Sequence, residues 1–182
     1  VHFRTAAIGP DDRLLVEGYK LRGALEDRIA AAILPDASID TSAFPSGFEQ
    51  VGIANTDTLR PIASLAAAGR LHTATEIGQP GNKAWRLDVR DATTLAPDAG
   101  ACPDRCVDPL LAAGSSLAIA VRPGGAGYAV AGFATDASGQ PRFELGLLDA
   151  DGEFDLSAGS LGRLWFAQPG VARAIAVDSS GR

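Results

Sequence analysis

The stretch GPDDRLLVEGYKLRGALEDRIAAAIL, residues 9–34, decides what fold the chain is expected to have. Leu14, Leu21, Leu25, Ile29 and Ala32 recur at spacings of three, four or seven, which makes one apolar stripe on a helix. Arg13, Glu17, Lys20, Arg22, Glu26 and Asp27 mostly fall off that stripe. Pro10 suits a first helical position, and Asp11 and Asp12 suit the positive end of the helix dipole. Leu34-Pro35 then stops the helix. Gly18 and Gly23 each cost about 1 kcal/mol against Ala inside a helix. Gly18 lies on the apolar side, where it would admit a close neighbour. The expectation is an amphipathic helix over roughly 10–34.

Working outward, residues 35–56 are loop-rich, with Pro35, Pro45 and Gly47 as punctuation. TDTLRPIASLAAAGRL, residues 56–71, reads as a second, shorter helix. Thr56, Asp57 or Thr58 can cap it, and Gly69 ends it. From about residue 70 the period changes. KAWRLDVRD alternates, with Trp85, Leu87 and Val89 on one face and Arg86, Asp88 and Arg90 on the other, as in a strand with one wet face. Residues 91–114 form a long irregular stretch. The last third holds five short apolar runs, SLAIAVRP, GYAVAGFATD, PRFELGLLD, GRLWFAQ and VARAIAVD, joined by turn residues. Such short connections join antiparallel neighbours. The fold expected is therefore α+β. An N-terminal amphipathic helix and a second short helix pack on a C-terminal antiparallel β-meander. The chain is read as a single domain, 1–182, helical over about 10–70 and strand-rich over about 83–182.

Composition excludes several functions. The 182 residues carry a net charge of -6 with a pI near 4.8, which argues against a nucleic-acid or anionic-membrane partner. Apolar runs fall well short of the ~18 residues a membrane helix needs. The chain starts at Val1 and contains no Met, so we expect that a targeting or anchoring segment precedes it in the natural product. Cys102 and Cys106, in ACPDRCVDP, are too sparse for zinc without two further ligands. A local disulfide in an oxidising compartment is the favoured reading, with free thiols as the alternative. Both readings leave membrane contact only to a segment outside this chain.

Motifs for chemistry are few. LLDADGEFDL, residues 147–156, spaces acids like a calcium loop, but position twelve from Asp149 is Ser160, where a bidentate Glu is required. Asp149 and Asp151 are thus weak metal candidates, and no metal or other cofactor is expected. The same Asp–Gly shape recurs in DASG at 136–139 and DSSG at 178–181, which reads as three hairpin turns. Gly124, Gly125 and Gly127 separate two strand-like runs, so they too read as a turn and not as a phosphate cradle. There is no G-x-S-x-G, and His72 is the only internal histidine, more readily a surface or strand-edge histidine than a general base.

The expected function is a non-enzymatic extracytoplasmic sensor or ligand-binding domain of a membrane-anchored protein, in the periplasm or outside the cell. Its pocket is expected on the sheet, at Trp85, Arg86, Tyr128 and Phe133, for a small molecule or a protein partner. The gross layout is similar to that of receptor sensor domains of the PAS and Cache kind. It is also similar to pilin-like or secretion-apparatus subunits, which would form a homo-oligomer or filament. A secreted enzyme of unread class, centred on His72, is the third alternative.

Overall fold

The structure is a computed structural model, and it describes residues 1–42, 47–52, 58–79, 82–97, 115–150, 153–160 and 162–180. Its strands run β1 His2–Ile8, β2 Leu14–Arg22, β3 Leu25–Ile33, β4 Glu49–Gly52, β5 Thr58–Ala67 and β6 Arg70–Gln79. They continue with β7 Asn82–Asp91, β8 Ser115–Val121, β9 Tyr128–Thr135, β10 Pro141–Leu148 and β11 Arg163–Pro169. Among the described residues the only helical pieces are 3-10 turns at Pro10–Asp12 and Pro123–Gly125. The strands form three antiparallel meanders: sheet 1 is β1-β2-β3-β4, sheet 2 is β5-β6-β7, and sheet 3 is β8-β9-β10-β11.

This corrects the α+β expectation. Both expected helices are hairpins. Residues 14–33 pair as β2 and β3 through the two-residue turn Gly23-Ala24, with Leu15 opposite Ala32 and Arg22 opposite Leu25. Gly23 has φ 65° and Ala24 does not share the positive sign, the pattern of a type II′ turn. Residues 58–79 pair as β5 and β6 through Ala68-Gly69, both at positive φ, as in a type I′ turn. Gly18 serves backbone crowding of another kind. A methyl group there would overlap the His2 carbonyl on β1, next to a register shift. The pilin-like reading falls with the long N-terminal helix on which it rested.

The helical period misled because both faces of sheet 1 carry apolar residues. Ile29 through Ala32 are all buried, so alternation is erased and Ala, Leu, Glu and Arg supply high helix propensity. Likewise residues 87–90 of β7 have no wet face. Leu87 and Val89 turn to sheet 3, while Asp88 and Arg90 turn to sheet 1. The C-terminal runs do form a meander, β8 to β11, except that VARAIAVD forms no strand.

The sheets stack in chain order. The front of sheet 1 (Ala7, Leu15, Ala30, Ala32) packs on Leu71, Ala92 and Leu95 of sheet 2 and its outgoing loop. The opposite face of sheet 2 (Leu87, Val89) packs on Tyr128, Val130, Ala134 and Leu148, the back of sheet 3. The first strands approach one another, β5 lying against β1 and β8 against β5. Meanders that follow one another face to face, first strand beside first strand, are arranged like successive blades of a β-propeller.

Sheets 1 and 3 are two copies of one unit. Each opens with a hairpin closed by a Pro-led 3-10 turn whose second residue is left-handed, Asp11 at φ 55° and Gly124 at φ 68°. The Gly9 N–H donates to the Arg13 carbonyl at 2.8 Å, and the Arg122 N–H to the Gly127 carbonyl at 2.8 Å. After the third strand the chain reverses and bridges back, Ile33 to Ile39 and Leu148 to Phe154. The next residues, Asp40 and Asp155, donate their N–H to Ala32 and Leu147. The sequences are LPDASIDTS, residues 34–42, and LDADGEFDLS, residues 148–157.

Candidate functional site

Each unit fixes its aspartate in the same way. Asp40 Oδ1 accepts from the Ser42 N–H (3.0 Å) and hydroxyl (2.5 Å), and Oδ2 from Arg13 Nη1 at 2.9 Å. Asp155 Oδ1 accepts from the Ser157 N–H (3.2 Å) and hydroxyl (2.5 Å), and Oδ2 from Arg122 Nη1 at 2.9 Å. The two arginines enter from opposite ends of the equivalent 3-10 turn, yet reach the same carboxylate. The Ser157 hydroxyl, then Arg122, holds the Asp155 carboxyl below the usual carboxylate range.

In sheet 1 this clamp floors an open cleft of about 570 Å³ at the turn end of the stack. Asp11, Arg13, Leu34, Ser38, Ile39, Asp40, Thr41, Ser42 and Thr93 line it. Thr93 comes from the loop after β7, so the cleft spans sheets 1 and 2. Asp91 builds that loop by accepting from the N–H groups of Thr94 (2.7 Å) and Thr93 (2.9 Å), which lowers its pKa. Arg13 ties the two sheets together, with Nη1 within 3.5 Å of the Thr93 carbonyl. The lining thus offers hydroxyls and a carboxylate at Asp11, over an already neutralised arginine.

A second polar cluster lies buried between the same sheets. Arg28 donates to Glu17 (2.5 Å) and to Asp88. Glu17 also accepts from Thr73 and, at 3.1 Å, from Ser64, and Asp88 accepts from Thr75 at 2.7 Å. Burial opposes the Arg28 charge, but Glu17 and Asp88 more than offset it and leave its pKa above the ordinary value. Every partner here is supplied from within the interface, and Arg28 is fully buried. The cluster therefore joins sheets and presents nothing to a ligand.

The expected sheet pocket does not assemble from the residues named for it. Tyr128 is buried on the back of sheet 3, its ring 4.5 Å from that of His72 and its hydroxyl 3.5 Å from Nε2. Phe133, five positions along β9, lies on the front, opposite Phe143. Trp85 and Arg86 are described in backbone only, in register with Glu76 and Thr75. His72 is 1% exposed on the central strand β6, so it is a core residue, neither the surface or strand-edge histidine expected nor an open cleft base. Asp149 accepts from the Glu153 N–H at 3.0 Å, as a turn residue does, and Asp151 lies outside the described residues. Among the described residues no three potential metal ligands come together. Cys102 and Cys106 also lie outside the described residues.

Arg13, Asp40, Thr41, Ser42 and Thr93 were missed as site residues. The available signal was the repeat of Asp-x-Ser after each reversal, Asp40-Thr41-Ser42 and Asp155-Leu156-Ser157. The chain matches no protein-family model, and no curated protein matches it significantly.

Proposed function

We propose that the protein is a non-catalytic recognition module that binds a polar ligand in the cleft between sheets 1 and 2. The observation that carries this is the cleft itself. Its volume is within the roughly 300–1,000 Å³ of small-molecule sites, and its open lining mixes hydroxyls and carboxylates with the apolar side chains of Leu34 and Ile39. Ser38, Thr41 and Ser42 supply hydroxyls, and Asp11 supplies an exposed carboxylate. With a net charge of -6 over the chain, a ligand bearing ammonium or hydroxyl donors fits best. It can be a small molecule or a side chain of a protein partner. The cleft is built on turns held by the rigid sheets, where binding residues gather.

An extracytoplasmic location is part of the proposal and is supported by the C-x3-C pair alone. Alkylation without reductant tests it: two adducts on the folded protein refute the disulfide. The binding site is tested by a thermal-shift screen of amino acids, polyamines and oligosaccharides, followed by calorimetry on Asp11→Asn and Thr41→Ala. The expected result is at least a tenfold loss of affinity in either variant with unchanged melting temperature. A ligand that binds both variants as well as the parent refutes the site.

A further inference from the structure

The segment VARAIAVD, residues 171–178, forms no strand, yet it repeats one. Ala-Ile-Ala-Val at 174–177 matches Ala-Ile-Ala-Val at 118–121, the end of β8. A turn follows each. After β8 it is Pro123–Gly125, and after Val177 it is Asp178-Ser179-Ser180, where the Ser180 N–H donates to Asp178 Oδ1 at 2.9 Å. The chain also enters the two segments at the same level of sheet 3. The Ala172 N–H donates to the Gly132 carbonyl at 3.1 Å, and Gly132 pairs with Ser116, which precedes Ala118 as Ala172 precedes Ala174. The faces agree as well. Ile175 and Val177 are half-buried, as are Ile119 and Val121, which pack toward sheet 2. Ala174 and Ala176 are exposed. Sheets 2 and 3 each begin with a strand laid against the first strand of the sheet before. Residues 172–178 thus have the sequence and the level of a first strand for a fourth layer.

Among the described residues, the backbone from Arg173 to Val177 makes no hydrogen bond. In β8 the Arg122 N–H donates to the Gly127 carbonyl, so the N–H groups of Ala120 and Ala118 also point to β9. The same register points the Ala174 and Ala176 N–H groups to the side where a second strand pairs, and the Arg173 N–H away from it. The sheet beneath is unfinished too. On the front of sheet 1, Leu15, Ala30 and Ala32 are closed to 1% or less by sheet 2. On the front of sheet 3, Phe133, Phe143, Leu145 and Leu147 are only half-buried, and Phe166, stacked on Phe143, is 40% exposed. We propose that residues 172–178 are a docking strand. A β-hairpin of a partner polypeptide adds antiparallel along the Ala174–Ala176 edge and lays its apolar face on the front of sheet 3. The contact continues the stacking that the fold already uses on both sides of sheet 2. The partner's inward residues are therefore of the kind that sheet 3 lays on sheet 2, Tyr128, Val130 and Leu148. Backbone pairing supplies the affinity, and these side chains supply the selectivity. The proposal is independent of the ligand cleft, which lies between sheets 1 and 2.

The probe is a synthetic peptide of residues 127–149, the β9–β10 hairpin, added to the intact chain. Hydrogen exchange resolved by residue should show the Ala174 and Ala176 amides slowed by about tenfold or more when the peptide binds. Ala174→Pro and Ala176→Pro each remove one pairing N–H at an exposed position. Calorimetry should show each weakening the peptide by about tenfold, with the melting temperature of the free chain unchanged. Arg173→Pro removes an N–H from the other edge and should bind as the parent does. Phe166→Asp, on the front of sheet 3, should weaken the peptide without loss of β-sheet circular dichroism. A bound peptide that leaves Ala174 and Ala176 exchanging fast overturns the proposal, and so does a peptide that does not bind. Equal losses in Arg173→Pro and the two alanine variants overturn it as well, because the edge would then be irrelevant. Slow exchange of Ala174 and Ala176 without peptide also overturns it. The occupant is then a second copy if protection rises with concentration, and another part of the same chain if it does not.

Discussion

At the scale of single residues, Ala68 holds a backbone that alanine disfavours, φ 51° at the first position of the β5–β6 turn. Its neighbour Gly69, at φ 75°, meets no such penalty. The left-handed region costs an L-residue about 1–2 kcal/mol, so Ala68→Gly should stabilise the fold by up to about 1 kcal/mol. Ala68→Asn should do nearly as well, since Asn-Gly is the preferred pair for this turn. Urea denaturation measures the gain, and a loss of stability would mean that the turn has another geometry. Asp136 sets the acid limit in a similar local way. The Ser138 hydroxyl, the Gln140 N–H and Arg142 hold its carboxyl well below the usual range. Ser157 and Arg122 depress Asp155, and Ser38 depresses Asp36. An unfolded Asp takes up its proton near pH ~3.9, before these folded groups do, so falling pH favours the unfolded state. The denaturation midpoint should hold above about pH 5 and fall progressively below about pH 4. Asp136→Asn should flatten that fall, and an acid limb identical to the parent's would discount the residue.

At the scale of elements, the charges between sheets 1 and 2 act as a unit. Arg28 is fully buried against Glu17 and Asp88, so Arg28→Met alone leaves two carboxylates without their cation. That should cost about 3–5 kcal/mol, whereas replacing Arg28, Glu17 and Asp88 together by apolar residues should cost less than the single change. The two Arg–Asp clamps make a graded comparison. Arg13 and Asp40 are 10% and 6% exposed, while Arg122 and Asp155 are 24% and 21% exposed. Asp40→Ala should therefore destabilise more than Asp155→Ala, by about 3 against about 1 kcal/mol in denaturant unfolding. Equal losses would show that the backbone caps, and not the ion pairs, set the value. How the elements hid in the sequence follows from the same packing. The last meander was legible because its turns carry glycine and proline, as in Asp136-Ala137-Ser138-Gly139. Residues 14–33 were not, because a strand with two covered faces loses its alternation and Ile29–Ile33 then reads as helix. Gly23 looked like a cost inside a helix when it was the turn itself. The repeat of the Asp40 and Asp155 loops was masked for a related reason. The first copy turns on Ala37 at φ 67°, where no glycine marks the reversal. The cleft could not be read at all, since Thr93 joins Arg13 and Asp40 only after sheet 2 stacks on sheet 1.

At the scale of the whole molecule, the stack is close to one-dimensional: sheets 1 and 3 pack mainly on sheet 2. In such an array stability is a sum of unit terms and nearest-neighbour interface terms. The middle sheet shares in both interfaces, and each terminal sheet shares in one within the chain. The middle strand β6 shows this in its side chains. Leu71, Thr73 and Thr75 are fully buried toward sheet 1, and His72 and Ala74 toward sheet 3, all at 1% exposure or less. Exposing the β6 amides requires both interfaces to part, so their opening free energy should equal that of global unfolding. The outer edge strands β4 and β11 need lose only one neighbour and should exchange through smaller openings. Hydrogen exchange should rank Leu71–Thr75 slowest and the outward edges of sheets 1 and 3 fastest. Leu71→Ala tests the coupling, since it opens a cavity at one interface at a cost of about 2–5 kcal/mol. If the three sheets fold as one unit, that cost lowers protection in β9 of sheet 3 as much as in β2 of sheet 1. If only sheets 1 and 2 lose protection, sheet 3 is an independent unit that docks after folding.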